Sequence, residues 1–220
     1  MRRRVLHFVF LVVGVAFMSG CVSMSTMQTA RTTDPGDIVT GSGIGFVSTE
    51  MEVADNTHKL GMPMVEAYAR VGITKKLDAG LSYTIPGTFK LDGKYMVYGD
   101  QESTLAASVG GGIGYLNLKQ DDFQNRMLDF IIHAYATVYP TSWLALYASP
   151  KYIMRSSTKQ EIDVPDTKEK SFEHWYGSSI GIRIGKEEWK NNIFMEYNYF
   201  GNSVGNPYSQ IMVGVGFGIK

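Results

Sequence analysis

The chain has 220 residues, with 21 Lys and Arg against 21 Asp and Glu. That balance excludes the basic footprint of a nucleic-acid binder. A single cysteine excludes an intrachain disulfide and any Cys₄ or CxxC metal site. Twenty-four glycines, 13 tyrosines and 11 phenylalanines point to strands and turns rather than helices.

The first element is a leader. Arg2, Arg3 and Arg4 carry positive charge with no acid nearby, and Val5 to Phe17 is almost wholly apolar. Met18-Ser19-Gly20-Cys21 closes the segment with small residues. Charge, apolar run and small-residue site in that order form a secretory signal pattern over residues 1–20. The apolar run is shorter than the ~20 residues a transmembrane helix needs. Removal of the three arginines leaves 18 basic against 21 acidic residues, a net charge near −3.

Met18-Ser19-Gly20-Cys21 resembles the lipobox of bacterial lipoproteins. The resemblance implies cleavage after Gly20, fatty acylation of Cys21, and handling by the lipoprotein-sorting machinery. Val22 follows the cysteine, where an Asp tends to retain lipoproteins at the inner membrane, so sorting to the outer membrane is expected. Several acyl chains on one residue make a stable anchor. Residues 21–36 are small and polar and read as a lipidated tether leading into one domain over 37–220.

From there the pattern is period-two alternation, with no sustained helical stripe. Ten segments alternate: 37–48, 63–75, 77–86, 88–98, 104–116, 127–139, 142–155, 173–185, 189–200 and 209–219. Most match the ~9–11 tilted residues that cross a bilayer. The connections alternate too. Ser48–Pro63, Asn117–Arg126, Arg155–Phe172 and Gly201–Ser209 are long or polar. Thr74–Lys76, Gly99–Ser103, Pro140–Ser142 and Gly185–Glu188 are short, and Pro86-Gly87 is a tight turn where a long loop is due. An up-and-down barrel puts short turns on one rim and long loops on the other. The expected fold is therefore all-β: an antiparallel membrane barrel of ten strands, or eight, with the lipid at Cys21 on the short-turn side.

One face of the strands is continuously apolar, as in Phe130, Ile132, Ala134, Ala136 and Val138. The other mixes hydroxyls, charge and glycine, as in Gly41, Gly43 and Gly45 or Ser108, Gly110, Gly112 and Gly114. Small residues suit the crowded interior of a narrow barrel better than a solvated exterior. Trp143, Tyr139, Trp189 and Tyr98 fall near the short turns. Phe46, Tyr83, Tyr115, Tyr152 and Tyr199 fall near the long loops, and the two sets read as two interfacial belts. The chain resembles the small bacterial outer-membrane barrels, which implies insertion by the barrel-assembly machinery. It departs from them in ending Phe217-Gly218-Ile219-Lys220 rather than on an aromatic residue.

With the apolar faces toward lipid, the interior receives Glu66, Arg70, Asp78, Lys90, Asp92, Lys94, Asp129, His133, Lys151, Arg155, Arg183 and Glu196. A near-balanced set in a narrow lumen forms ion pairs that plug it, because unpaired buried charge is costly. The alternative is a small hydrophilic pore. A barrel enzyme has His58, His133 and His174 to draw on, with Ser149 and Ser179 also facing inward. Asp129 and His133 lie roughly 13 Å apart along a strand, too far to bond directly. No G-x-S-x-G, phosphate loop or cofactor motif occurs. The functions in view are a structural, surface-binding or small-solute role in the outer membrane. A barrel enzyme acting on lipid or peptide is the first rival, and a soluble periplasmic barrel binding an apolar ligand is the second.

Overall fold

The computed structural model describes residues 23–53, 56–85, 87–120, 123–161, 168–185, 191–203 and 207–219. Ten antiparallel strands close into a barrel, each paired with its sequence neighbours and β1 with β10. They are β1 (Ile38–Val53), β2 (Asn56–Thr74), β3 (Leu77–Ile85), β4 (Thr88–Tyr98) and β5 (Leu105–Gln120), followed by β6 (Phe123–Thr141), β7 (Leu144–Glu161), β8 (Glu169–Ile184), β9 (Asn191–Asn202) and β10 (Tyr208–Ile219). Closure leaves no edge strand to template aggregation.

Three of the expected long loops are hairpin extensions instead. β1 pairs with β2 out to Val53↔Asn56, and β5 with β6 out to Gln120↔Phe123. β7 and β8 pair out to Lys159↔Glu169. The residues there are polar because they stand beyond the apolar band, yet the ladder satisfies their main chain, so polarity did not mean loop. The wall is lowest at β3–β4, where Thr84 pairs with Thr88 and the Gly87 N–H bonds the Thr84 carbonyl at 2.6 Å. Gly87 has φ +138°, a conformation that favours glycine.

The exterior is apolar. Ile44, Leu81, Leu91, Ile113, Ile132, Ile180 and Ile211 all project outward and are about half exposed or more. A belt of this size is far larger than a soluble monomer tolerates and is a lipid-facing surface. Trp143 and Tyr98 are exposed near the short turns, and Phe46, Tyr83, Tyr115, Tyr152 and Tyr199 are exposed toward the hairpins. Tyr139 is the correction to the belt: it points into the lumen, where the Arg31 guanidinium lies 3.6 Å from its ring centre. Trp189 lies outside the described residues.

The largest departure from expectation is the segment before β1. Rather than spanning open space as a tether, it runs through the barrel, and Ser23 to Ala30 are all buried except half-buried Gln28. It enters at the hairpin half, where Met24 joins Val47, Met64, Ile131, Ile153, Trp175, Phe200 and Tyr208 in one apolar cluster. It leaves at the short-turn rim, where Pro35 bridges to Gly72 and the Gly36 N–H bonds the Gly72 carbonyl. The strand ends Ile38 and Ile219 also lie at that rim. Ser23 therefore sits toward the opposite mouth, while Cys21, expected on the short-turn side, lies outside the described residues.

Candidate functional site: the filled lumen

Two kinds of wall enclose this segment. On β1 and β10 the inward positions are mostly glycine, and that absence of side chains makes a groove. A Cβ on Gly43 would come 2.7 Å from the Met27 sulfur, and one on Gly214 2.5 Å from it. Met27 fills the groove together with Met212, Tyr147 and Phe194.

The other walls carry charge. Arg70, inward on β2, pairs with both Asp78 and Asp92 on β3 and β4. Lys94 lies 3.6 Å from Asp78, and its ammonium donates to the carbonyls of Thr29 (2.8 Å) and Arg31 (2.9 Å). Lys90 donates to the Ser25 carbonyl at 3.0 Å, and Lys151 to that of Met24. Nearer the hairpin rim Arg155 grips Asp129 through two bonds of 2.9 Å and lies over the Trp175 ring.

Glu196 on β9 is the acidic counterpart. Its carboxylate accepts the N–H of Thr26 (2.8 Å), the N–H of Met27 (2.8 Å), the Thr26 hydroxyl (2.7 Å) and the Tyr147 hydroxyl (2.9 Å). Met27 has φ +43°, in the left-handed region. A left-handed residue turns successive N–H groups toward one side and forms a concavity for an anion. Further along, Thr137 accepts the Ala30 N–H at 2.8 Å, Ser108 donates to the Ala30 carbonyl, and Asp78 accepts the Thr33 N–H at 3.0 Å.

The remaining inward residues take quieter places. Glu66 is buried beside Gln28 and Tyr68. Arg183 is buried with its guanidinium 5.6 Å from the Tyr139 ring centre. His133 is buried, with its ring centre 4.9 Å from that of Tyr135. Of the histidines and serines considered for catalysis, the Ser149 hydroxyl and His133 Nε2 are buried with no hydrogen-bond partner among the described residues, and no bond joins them, while Ser179 and His174 are bonded elsewhere. Ser179 bonds Asn198, Asp129 is held by Arg155, and exposed His174 bonds the Tyr152 hydroxyl through Nδ1 at 2.6 Å. The His58 side chain lies outside the described residues. Among the described residues no cluster of three or more His, Cys, Asp or Glu is arranged for a metal. Sequence reasoning missed Thr137, Ser108 and Tyr147 as partners of the segment, because a lone hydroxyl at an inward position has no distinguishing pattern.

No family model and no curated protein matches the chain. Solved structures do. The outer-membrane protease OmpT from Escherichia coli is similar over 88% of this chain and all of its own, with 10% identity and a TM-score of 0.50. The attachment invasion locus protein Ail of Yersinia pestis is similar over 84% of this chain and 99% of its own, at 11% identity and a TM-score of 0.42. Neisserial surface protein A is similar over 83% and 98%, at 9% identity and 0.42. At such identities the likeness concerns fold, and the fold is a closed, antiparallel ten-stranded β-barrel of the outer-membrane type.

Proposed function

We propose that this chain is an exported, lipid-anchored bacterial outer-membrane barrel, closed by its own N-terminal segment, that serves envelope structure and surface presentation rather than open passage of solutes. The observation that carries the reading is Ser23–Thr33, which fills the lumen while charged wall residues bond its main chain. The hairpins β1–β2, β5–β6 and β7–β8 rise beyond the apolar band and form the surface offered to partners. Acylation of Cys21 follows from the Met18–Cys21 resemblance. Barrel-assembly and lipoprotein-sorting factors are the partners this route requires.

Planar-bilayer recording tests the closure. The intact protein is expected to give no conductance steps, and regular steps from it would overturn the reading. Mass spectrometry of the mature N-terminus tests the anchor: the acyl mass should be present and should vanish in Cys21→Ser.

A further inference from the structure

We propose that the lumen is a binding channel for an extended polypeptide, read chiefly through its main chain, with Ser23–Thr33 as the ligand carried in cis. This rests on the closed-lumen reading and goes past it, because it assigns the barrel a ligand class.

The argument starts from what the wall charges bond. Lys90, Lys94 and Lys151 donate to carbonyls of residues 24, 25, 29 and 31. Glu196, Thr137 and Asp78 accept N–H groups of residues 26, 27, 30 and 33. Every residue offers a carbonyl, and every residue except proline offers an N–H. The first proline after the leader is Pro35, just beyond the last of these N–H groups.

A wall meant only to be solid has a cheaper solution. Buried ionic groups are commonly matched or bettered in stability by packed apolar side chains of similar volume. Here the Lys90, Lys151 and Glu196 head groups meet main-chain atoms of the segment, so an empty channel would leave them without those partners. In an emptied channel water would have to replace those partners. The head groups already stand at the spacing of main-chain carbonyls and N–H groups, so the wall is matched to a peptide.

The side chains set the remaining terms. Ala30 is fully buried among Met96, Ala106, Tyr135, Tyr139 and Ala145, which suits a small residue at that place. Met24 and Met27, three apart, enter the apolar cluster and the glycine groove. Methionine is flexible enough to be replaced there by another long apolar chain. The ligand class is thus an extended peptide that takes one left-handed residue where it bonds Glu196, with a small residue at the place of Ala30, no proline at the bonded N–H positions, and flexible apolar side chains three apart.

The test uses the full chain with a protease site inserted between Pro35 and Gly36, in the exposed turn before β1. In the Cys21→Ser protein, which carries no acyl anchor, cutting the folded chain leaves the N-terminal fragment held by the channel alone. A fluorescent peptide of residues 23–33 is then added, with unlabelled competitors. The labelled peptide should enter the barrel, and a competitor with Ser25, Thr29 and Thr32 changed to Ala should compete within about threefold. N-methylation at the nitrogens of Met27 and Ala30 should weaken competition about tenfold or more, the ratio that one lost net hydrogen bond of ~1.4 kcal/mol gives. Equal competition by the methylated peptide would overturn the proposal, as would failure of any peptide to enter or loss of competition on the alanine changes. Conductance from the uncut protein would instead sink the closed-lumen reading, so the two failures are distinguishable.

Discussion

The wall formed by β1 and β10 and the wall formed by β2, β3 and β4 hold the same segment by opposite means. In the first, glycines open a groove that Met27 shares with Met212, and Gly43 and Gly214 seat it by shape. The second presents Arg70 paired with Asp78 and Asp92, and grips the segment through Lys90 and Lys94, which donate to its carbonyls, and Asp78, which accepts the Thr33 N–H. The difference teaches that the lumen is specified twice, once by volume and once by polarity. Shape fixes depth through one side chain, while the polar wall fixes the path of the main chain.

The largest effect should come from the charged wall. Arg70→Met removes the cation between Asp78 and Asp92, all three buried. Breaking one partner of a buried ionic group costs about 3–5 kcal/mol, and urea titration of the protein in detergent should show the midpoint fall accordingly. A midpoint within error of the parent would mean that the polar wall is not what holds this side together.

Gly43→Val attacks the other wall. The atoms it would meet belong to Met27 and Met212, both flexible, rather than to the wall backbone. Overpacking costs about 1–3 kcal/mol, so the segment should be displaced for part of the time while the barrel keeps its heat-modifiable migration on gels. Conductance steps with migration unchanged are the expected result. A closed barrel as stable as the parent would show that Met27 does not need its groove.

Glu196→Gln separates charge from shape at the junction of the two walls. The amide keeps an acceptor for Thr26 and Met27, but charge-assisted bonds are roughly twice as strong as neutral ones. A loss of about 1–2 kcal/mol follows, seen as brief openings in bilayer recordings. Openings as long-lived as those of Gly43→Val would place Glu196 above the groove in importance.

The strands and their faces were legible because alternation is a direct consequence of the pleat. The inward lysines, arginines and acids could be named from it. The glycine groove was legible as smallness alone: Gly41, Gly43 and Gly45 announced a crowded interior without saying what crowds it. The occupant itself was not legible. A run such as Ser-Met-Ser-Thr-Met-Gln-Thr-Ala has no periodicity to distinguish a solvated tether from a buried extended chain whose partners are distant side chains. Density gives the missing clue, since interiors are close-packed and a glycine-lined lumen must be filled by something. The apolar inner residues of the hairpin half were hidden for a different reason. Ile131 lies between Phe130 and Ile132, so the alternation has no contrast there.

The smallest predicted effect lies where the segment leaves the polar wall. In the turn between β4 and β5, Gln101 donates to the Thr32 carbonyl at 2.7 Å and the Ser103 carbonyl accepts from Arg31 at 2.9 Å. Asp100 shapes this turn, accepting the Ser103 hydroxyl (2.7 Å) and the N–H groups of Glu102 (2.9 Å) and Ser103 (2.8 Å). The Ser103 hydroxyl foremost, then those N–H groups, hold its carboxyl below the ordinary carboxylate value. A depressed carboxyl stabilises the fold at pH above its unfolded value and loses that contribution as pH falls through the folded one. Asp100→Asn should therefore slightly lower stability at neutral pH and make no difference at strongly acid pH. Asp100 is fully exposed, so the change should be small and should leave the lumen closed. If bilayer recordings of Asp100→Asn show openings at neutral pH, the segment's exit turn contributes to closure alongside the two walls, and the contrast between them becomes one of three supports.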